Sequence, residues 1–406
     1  MQRQLTDLEG GSVKMERINY FIHMAREQEK LIYIRGISPA GILLGIYMDT
    51  IGVHFEGYVD QKSDKFGKTV YGEHICYAPN EVPVNAFVFV AVYSDKNQKK
   101  IGQELQQMGI EYADNLWKEL YQYAEFVDDE YFLRTMFSAK LGYTLDLENP
   151  KTLCEKFQWL KLYDRNPRYT QLVDKYEFKR YVAGLLGEQY VFPNCLGCVW
   201  DSFDDIEFDK LPNQFVLKCT HDSGSIVVVK DKTKIDKEEI KEKLERRLGV
   251  NYFNIFREWP YKNVKPRIIA EKYFDCLGNP ESLEYKVTCF NGKVGFVTIC
   301  QGIAHSTYDV RTNDSYDINF NHMPWYSYYK NSLKGFCKPE QWDELIMVCE
   351  KLAADIPYVR VDCYIIEGQI YIGEMTFYTW AGFIEFTPPE WDLKLGEWLE
   401  LPLAEK

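Results

Sequence analysis

Residues 358–378, YVRVDCYIIEGQIYIGEMTFY, constrain the fold more than any other stretch of this 406-residue chain. Two largely apolar runs flank Glu367-Gly368, the pattern of a β-hairpin. A hairpin needs an antiparallel setting, and Val361, Cys363, Ile365, Ile370 and Ile372 need much of it buried. Yet the same strands carry Arg360, Asp362 and Glu374. If Ile366-Glu367-Gly368 is a three-residue loop with its glycine left-handed, Arg360 falls opposite Glu374 and Asp362 lies diagonal to it, all on one face. Diagonal neighbours are roughly 7–8 Å apart. Unpaired buried carboxylates are costly, so a cation is expected there. Magnesium takes oxygen ligands and shares them with nucleotide phosphates, which suits the pair. The alternative is a solvated sheet face or a surface salt bridge.

Lysines raise the same question. Lys218 interrupts the apolar strand FVLKCT, and the small-residue loop HDSGS at 221–225 follows before IVVVKD. An ammonium on a strand beside a loop of small residues is a sensible phosphate grip, with Ser223, Gly224 and Ser225 lending backbone N–H groups. The pattern is not a P-loop. Lys286 in LEYKVTCF is a second strand-borne lysine. Either alone reads as a snorkelling surface lysine; two beside a carboxylate pair point to a nucleotide–magnesium site. The strand IIAEKYF adds Glu271, Lys272 and Phe274, a backbone edge with apolar walls that suits adenine.

The rest of the chain sets these pieces in order. Residues 1–30 read as an N-terminal helical extension. Residues 31–113 alternate strand and helix, the signature of a small Rossmann-like parallel sheet. Its first strand-to-helix turn, RGISPAG, places Gly36 and Gly41 where a phosphate can approach a helix N-terminus, or where the chain simply turns tightly. Residues 114–190 are mostly helical. From 191 to 406 strands return, separated by short turns, which argues antiparallel α+β structure.

Composition limits what such a chain works on. With 48 basic against 61 acidic residues the net charge is −13, which disfavours nucleic acid or an anionic membrane as partner. The N-terminus shows no apolar signal core, and AFVFVAVY is too short to span a bilayer, so a cytoplasmic protein is expected. The 11 cysteines then read as reduced thiols. Cys195 and Cys198 form a C-x-x-C pair, but no second pair exists to complete a zinc site.

These blocks together resemble the ATP-grasp superfamily. RVD at 360–362 and GEMT at 373–376 are similar to its magnesium signature on a late hairpin. IIAEKYF resembles its adenine hinge, and VLK with the following loop its phosphate grip. The closest likeness is to the branch associated with teichuronopeptide and other surface-polysaccharide synthesis. It runs from about 146 to 402 through ENPKTLCEKFQWLKLYDRNPRYTQLVDKY, FVLKCTHDSGS, REWPYKNVKPRIIAEKY, YKVTCFNGKV and the hairpin.

The resemblance implies an ATP-grasp fold behind the Rossmann-like sheet, with ATP and Mg2+ as cofactors. It implies carboxylate–amine ligation through an acyl phosphate on a sugar or amino acid. Asp362, Glu374 and Thr376 would hold metal. Lys175, Lys218, Ser223, Gly224, Ser225, Glu271, Lys272, Phe274 and Lys286 would hold nucleotide. Arg360 and Lys286 would be catalytic. His221, His305 and Arg311 are substrate candidates beside Gly36 and Gly41. Residues 31–113 are similar to the small domain of sugar N-acyltransferases, which implies a nucleotide sugar. The partner expected is thus a small molecule or glycan, with homo-oligomer assembly left open.

Two departures bear on turnover. Asp222 brings a carboxylate into the phosphate loop, and FYTWAGF replaces the usual tail after the hairpin. They keep two alternatives open: a non-catalytic nucleotide-binding module, and an ATP-grasp kinase.

Overall fold

Parallel order at the start of the chain and antiparallel order after it divide the molecule into two units. The computed structural model describes residues 15–274, 279, 281–302 and 310–402, with the backbone alone for 194–198. The first unit runs to Leu145 and takes in Asn254–Arg257; the second holds Asp146–Phe253 and the chain from Glu258 onward.

The first unit contains β1 (Leu31–Arg35), β2 (Gly57–Val59), β3 (Thr69–Tyr71), β4 (His74–Tyr77), β5 (Ala86–Val90) and β6 (Glu111–Ala113). They order as β3-β4-β2-β1-β5-β6, parallel throughout except β3 against β4. Helices α1 (Glu16–Glu27), α2 (Pro39–Thr50), α3 (Asp95–Gln107), α4 (Trp117–Tyr123) and α5 (Asp129–Leu141) belong with them. Every residue of β5 is buried, as expected of a strand covered on both faces.

Helix α2 starts where Ser38 accepts a hydrogen bond from the Gly41 amide. Gly36 has φ +113°, and a Cβ on Gly41 would lie 2.0 Å from the Gly36 carbonyl oxygen. The turn closing on itself therefore accounts for both glycines without a ligand.

The second unit begins with helices α6 (Leu153–Tyr163), α7 (Arg168–Val173) and α8 (Glu177–Leu186). A capping box, Thr152 with Glu155, starts α6. A four-stranded antiparallel sheet follows, order β7-β10-β8-β9, from β7 (Asn194–Trp200), β8 (Phe215–Cys219), β9 (Val227–Val229) and β10 (Ile268–Lys272). Phe215, Leu217, Cys219, Ile268 and Ala270 turn one face into a core closed by Ile240 and Leu244 of α9 (Lys237–Leu248). Strand alternation then sends Val216, Lys218 and Glu271 to the other face. The Cys195–Cys198 pair falls on β7, where side chains lie outside the described residues.

The six-stranded sheet orders β14-β13-β12-β11-β16-β17, from β11 (Leu283–Phe290), β12 (Lys293–Gln301), β13 (Thr312–Asp317), β14 (His322–Met323), β16 (Tyr358–Ile366) and β17 (Gln369–Thr376). A short pair, β15 (Tyr326–Ser327) with β18 (Phe386–Thr387), stands apart. Among the described residues no helix is long and apolar enough to cross a membrane.

The hairpin register corrects the expectation above. The turn has two residues, Glu367 at φ +52° and Gly368 at φ +80°, and Ile366 pairs with Gln369. Both central residues are left-handed, as the tightest hairpin turns require. That turn alone would put Arg360 and Asp362 on the opposite face from Glu374. A bulge between Asp362 and Cys363 shifts the register by one more residue. Asp362 then faces Glu374 directly, and Arg360 faces Thr376.

Candidate active site

Two cross-strand rows form the floor of the candidate site. Lys286 pairs with Asp362 and Asp362 with Glu374; one step along, Thr288 pairs with Arg360 and Arg360 with Thr376. Because side chains alternate along a strand, both rows project to one face. The Arg360 guanidinium binds both Asp362 oxygens, at 2.6 and 2.7 Å, and donates to the Thr376 hydroxyl at 3.1 Å. Lys286 Nζ lies 2.7 Å from Asp362 Oδ2 and 2.8 Å from Glu284. Tyr364 donates to the other Glu284 oxygen at 3.0 Å.

The electrostatics follow from burial with compensation. Burial alone would raise the Asp362 carboxyl, but Arg360 and Lys286 outweigh it and hold Asp362 below its ordinary range. Lys286 and Arg360 are raised in turn: burial opposes their charge, and Asp362 more than restores it. Glu374 makes no hydrogen bond or ion pair among the described residues. It is the carboxylate left available to an incoming cation.

The smaller sheet supplies a second charged group. Glu271, 4% exposed, binds Lys218 at 2.5 Å and Lys179 of α8 at 2.8 Å. Burial would raise its carboxyl, but Lys179 and Lys218 bring it down to about 2. Glu374 and Glu284 of the larger sheet also act on Lys218, so the two charged faces confront each other within the second unit. At one end Phe192, Phe274 and Tyr371 form an aromatic cluster with centroids 5.3–6.2 Å apart, and Lys272 lies over the Phe274 ring.

The loop 221–225, expected to grip phosphate, is folded from within. Ser225 donates to Asp222 Oδ1 at 2.5 Å and accepts from the Cys219 amide at 2.8 Å. Asp222 Oδ2 lies 3.6 Å from Arg247 of α9. The Asp222 carboxylate is thus 3% exposed and engaged inside the loop. The concern that it would repel phosphate loses its geometric basis. Lys175 Nζ donates to the Asp222 carbonyl. Gly224 turns at φ +91°.

His221 Nε2 sits 3.2 Å from the carbonyls of both Arg247 and Val250, so it must carry the proton and donate to them. Burial lowers the imidazole's affinity for a second proton. That bonding makes His221 a structural part of the loop. Arg311 donates to the Tyr329 hydroxyl at 3.3 Å, and Tyr329 neighbours Trp380 of the tail. His305 lies outside the described residues.

Four participants escaped the sequence reading: Lys161, Lys179, Glu258 and Glu284. Lys161 and Gln158 sit on the buried side of α6, where the i, i+3, i+4 spacing calls for apolar residues; that misplacement was the available signal. Lys161 donates to the Ala381 carbonyl at 2.6 Å and Gln158 to that of Gly382 at 2.7 Å. They brace the altered tail, in which Trp380 and Ala381 are both left-handed.

A magnesium ion fits this chemistry. Asp362, Glu374 and Thr376 offer only oxygen, the donor a hard ion takes. Among the described residues no group of three His, Cys, Asp or Glu closes a metal site alone. Nucleotide phosphates would complete the coordination shell.

A family model, TupA-like ATPgrasp, matches residues 155–400. The chain is also similar, at low identity, to several solved ligase and synthetase structures. D-alanine–D-alanine ligase from Bacillus anthracis complexed with ATP is 15% identical over 86% of each chain, with a TM-score of 0.32. D-cycloserine synthetase DcsG is 12% identical over 90% of this chain and 97% of that one, at 0.33. ATP-grasp ligase PsnB, complexed with a phosphomimetic precursor variant, Mg and ADP, is 10% identical over 91% and 97%, at 0.31. No curated protein matches the sequence. The family match takes in well over half the chain, including β8, β10, β11 and the β16–β17 hairpin, and this protein belongs to the TupA-like ATP-grasp family.

Proposed function

We propose that the protein is an ATP-dependent carboxylate–amine ligase, acting on a sugar or amino acid in the synthesis of a surface polysaccharide. The observation that carries the reading is the Lys286–Asp362–Glu374 row with Arg360 and Thr376 beside it on one face. Lys179, Lys218, Lys286 and Arg360 balance Glu271, Glu284 and Asp362 in internal pairs, with Glu374 beside them for the cation. Magnesium and phosphates arriving together can exchange those pairs without leaving a charge uncompensated. Bound magnesium supplies Lewis-acid neutralisation of the phosphates.

Lys218, Lys175 and the loop 221–225 then hold the nucleotide's phosphates, and Phe274 walls the adenine. Arg360 steadies charge on the substrate carboxylate as it accepts the phosphoryl group, and again as the amine displaces phosphate. The internal bonding of Asp222 favours turnover over a purely non-catalytic module. The parallel sheet of the first unit supports a nucleotide-sugar role for it, although its glycines give no help.

The test is calorimetric titration of ATP with magnesium into wild type, Asp362→Asn and Glu374→Gln. We expect magnesium-dependent binding in wild type and its loss in both variants. No binding in wild type would sink the reading.

A further inference from the structure

Glu258 is a buried carboxylate that the ATP and magnesium assignments leave unused. It is 5% exposed and sits just before the short helical turn Trp259–Tyr261. Among the described residues its carboxylate makes no hydrogen bond or ion pair. Such a group is expensive unless something occupies it in the working protein.

Its surroundings point to what that is. Lys161 of α6 and Arg360 of β16 are the cations acting on it, and both are already bonded elsewhere. Tyr261 of the same turn, Tyr252 and Tyr378 feel its charge. Glu258 is thus a buried, unpaired carboxylate within the electrostatic reach of Arg360, the arginine that steadies the acyl centre. Burial, against the pull of Lys161 and Arg360, pushes its carboxyl up to about 7. At neutral pH it can both take and release a proton.

We propose that Glu258 is a catalytic residue of the second half-reaction, accepting the proton that the incoming ammonium must lose before it can attack. The inference rests on the ligase reading and deepens it. An ammonium sheds two protons on becoming an amide. The first goes to a Glu258 oxygen and frees the nitrogen lone pair. The C–N bond then forms, and the C–O bond to phosphate breaks with its electron pair leaving on phosphate. The second proton leaves with that phosphate. Glu258 enters as carboxylate and ends as carboxylic acid. The second substrate is thereby a cationic amine.

The experiment compares wild type, Glu258→Gln and Glu258→Asp, with glucuronate and galacturonate as carboxylate probes. One arm uses hydroxylamine, already neutral at pH 7, and reads hydroxamate; the other uses the common amino acids and glucosamine, and reads amide. Unchanged calorimetric binding of ATP with magnesium verifies folding. We expect Glu258→Gln to keep hydroxamate formation, to lose amide formation by about 10²–10⁴-fold, and to lose the acid limb near pH 7 in kcat/KM for the amine. Glu258→Asp should recover part of the amide rate. Parallel loss of both products, or an unchanged pH limb, overturns the role of Glu258. Wild type that binds ATP but forms neither product overturns the ligase reading beneath it.

Discussion

At Glu271 burial and pairing pull in opposite directions, and the pairing wins. Its carboxyl falls from the ordinary 4.5 to about 2 because two ammoniums lie within 2.8 Å. A carboxyl lowered by folding stabilises the fold above its unfolded pKa, and that stability drains away as pH falls through the folded one. The Glu271 contribution should therefore be complete above about 4.5 and be lost between there and about 2. Replacing it strands Lys179 and Lys218 in a buried setting. We expect Glu271→Gln to cost roughly 3–5 kcal/mol at pH 7, by analogy with breaking other buried pairs. Urea denaturation at pH 7 and at pH 3 checks both statements: the difference between wild type and variant should shrink at the lower pH.

At the scale of the element, the β16–β17 hairpin depends on two one-residue shifts that cancel. The two-residue turn moves the facing side chains to the wrong side, and the bulge before Cys363 moves them back. Gly373 sits at that bulge with little room. A Cβ there would lie 3.0 Å from the Tyr364 ring and 3.1 Å from the Asp362 carbonyl oxygen. Gly373→Val should therefore disturb the alignment of Asp362 with Glu374 more than it disturbs the fold. We expect a stability loss of about 1–3 kcal/mol, with magnesium-dependent ATP binding weakened at least tenfold. Thermal denaturation and calorimetry on the same sample separate the two effects. A variant that loses stability but binds ATP normally would show that the bulge is not what aligns the pair.

At the scale of the molecule, the chain's path matters. The four residues Asn254–Arg257 belong to the first unit although second-unit sequence precedes and follows them. Arg257 is 1% exposed; it donates to the carbonyls of Ala124 and Val127 and pairs with Asp129 at 2.8 Å. Arg257→Ala removes two buried hydrogen bonds to carbonyls and the ion pair with Asp129, at a cost of about 3–5 kcal/mol. Scanning calorimetry should show the loss in the transition of the first unit. ATP with magnesium at about 100 times Kd should add about 2.7 kcal/mol to the second. A ligand shift confined to the first unit's transition would contradict the assignment of the nucleotide site.

Much of the fold was legible in the chain itself. Period-two apolar runs, glycines at turns and helix caps are local signals, and they marked the parallel sheet, the antiparallel sheets and the helices between them. Charged residues inside apolar strands were legible for the same reason: Lys218, Lys286, Arg360, Asp362 and Glu374 break a pattern that burial enforces. The direction of Asp222 depends on Ser225 and on Arg247, some 25 residues away, and no local pattern encodes that. The buried pairing of Glu271 with Lys179 needs β10 and α8 in contact. The isolation of Glu258 needs Lys161 and Arg360 to be engaged elsewhere, from segments about 200 residues apart. The sequence by itself determined which residues are too polar for their strands. Only the tertiary structure decided which charge meets which, because pairing energy depends on distances that chain folding alone creates.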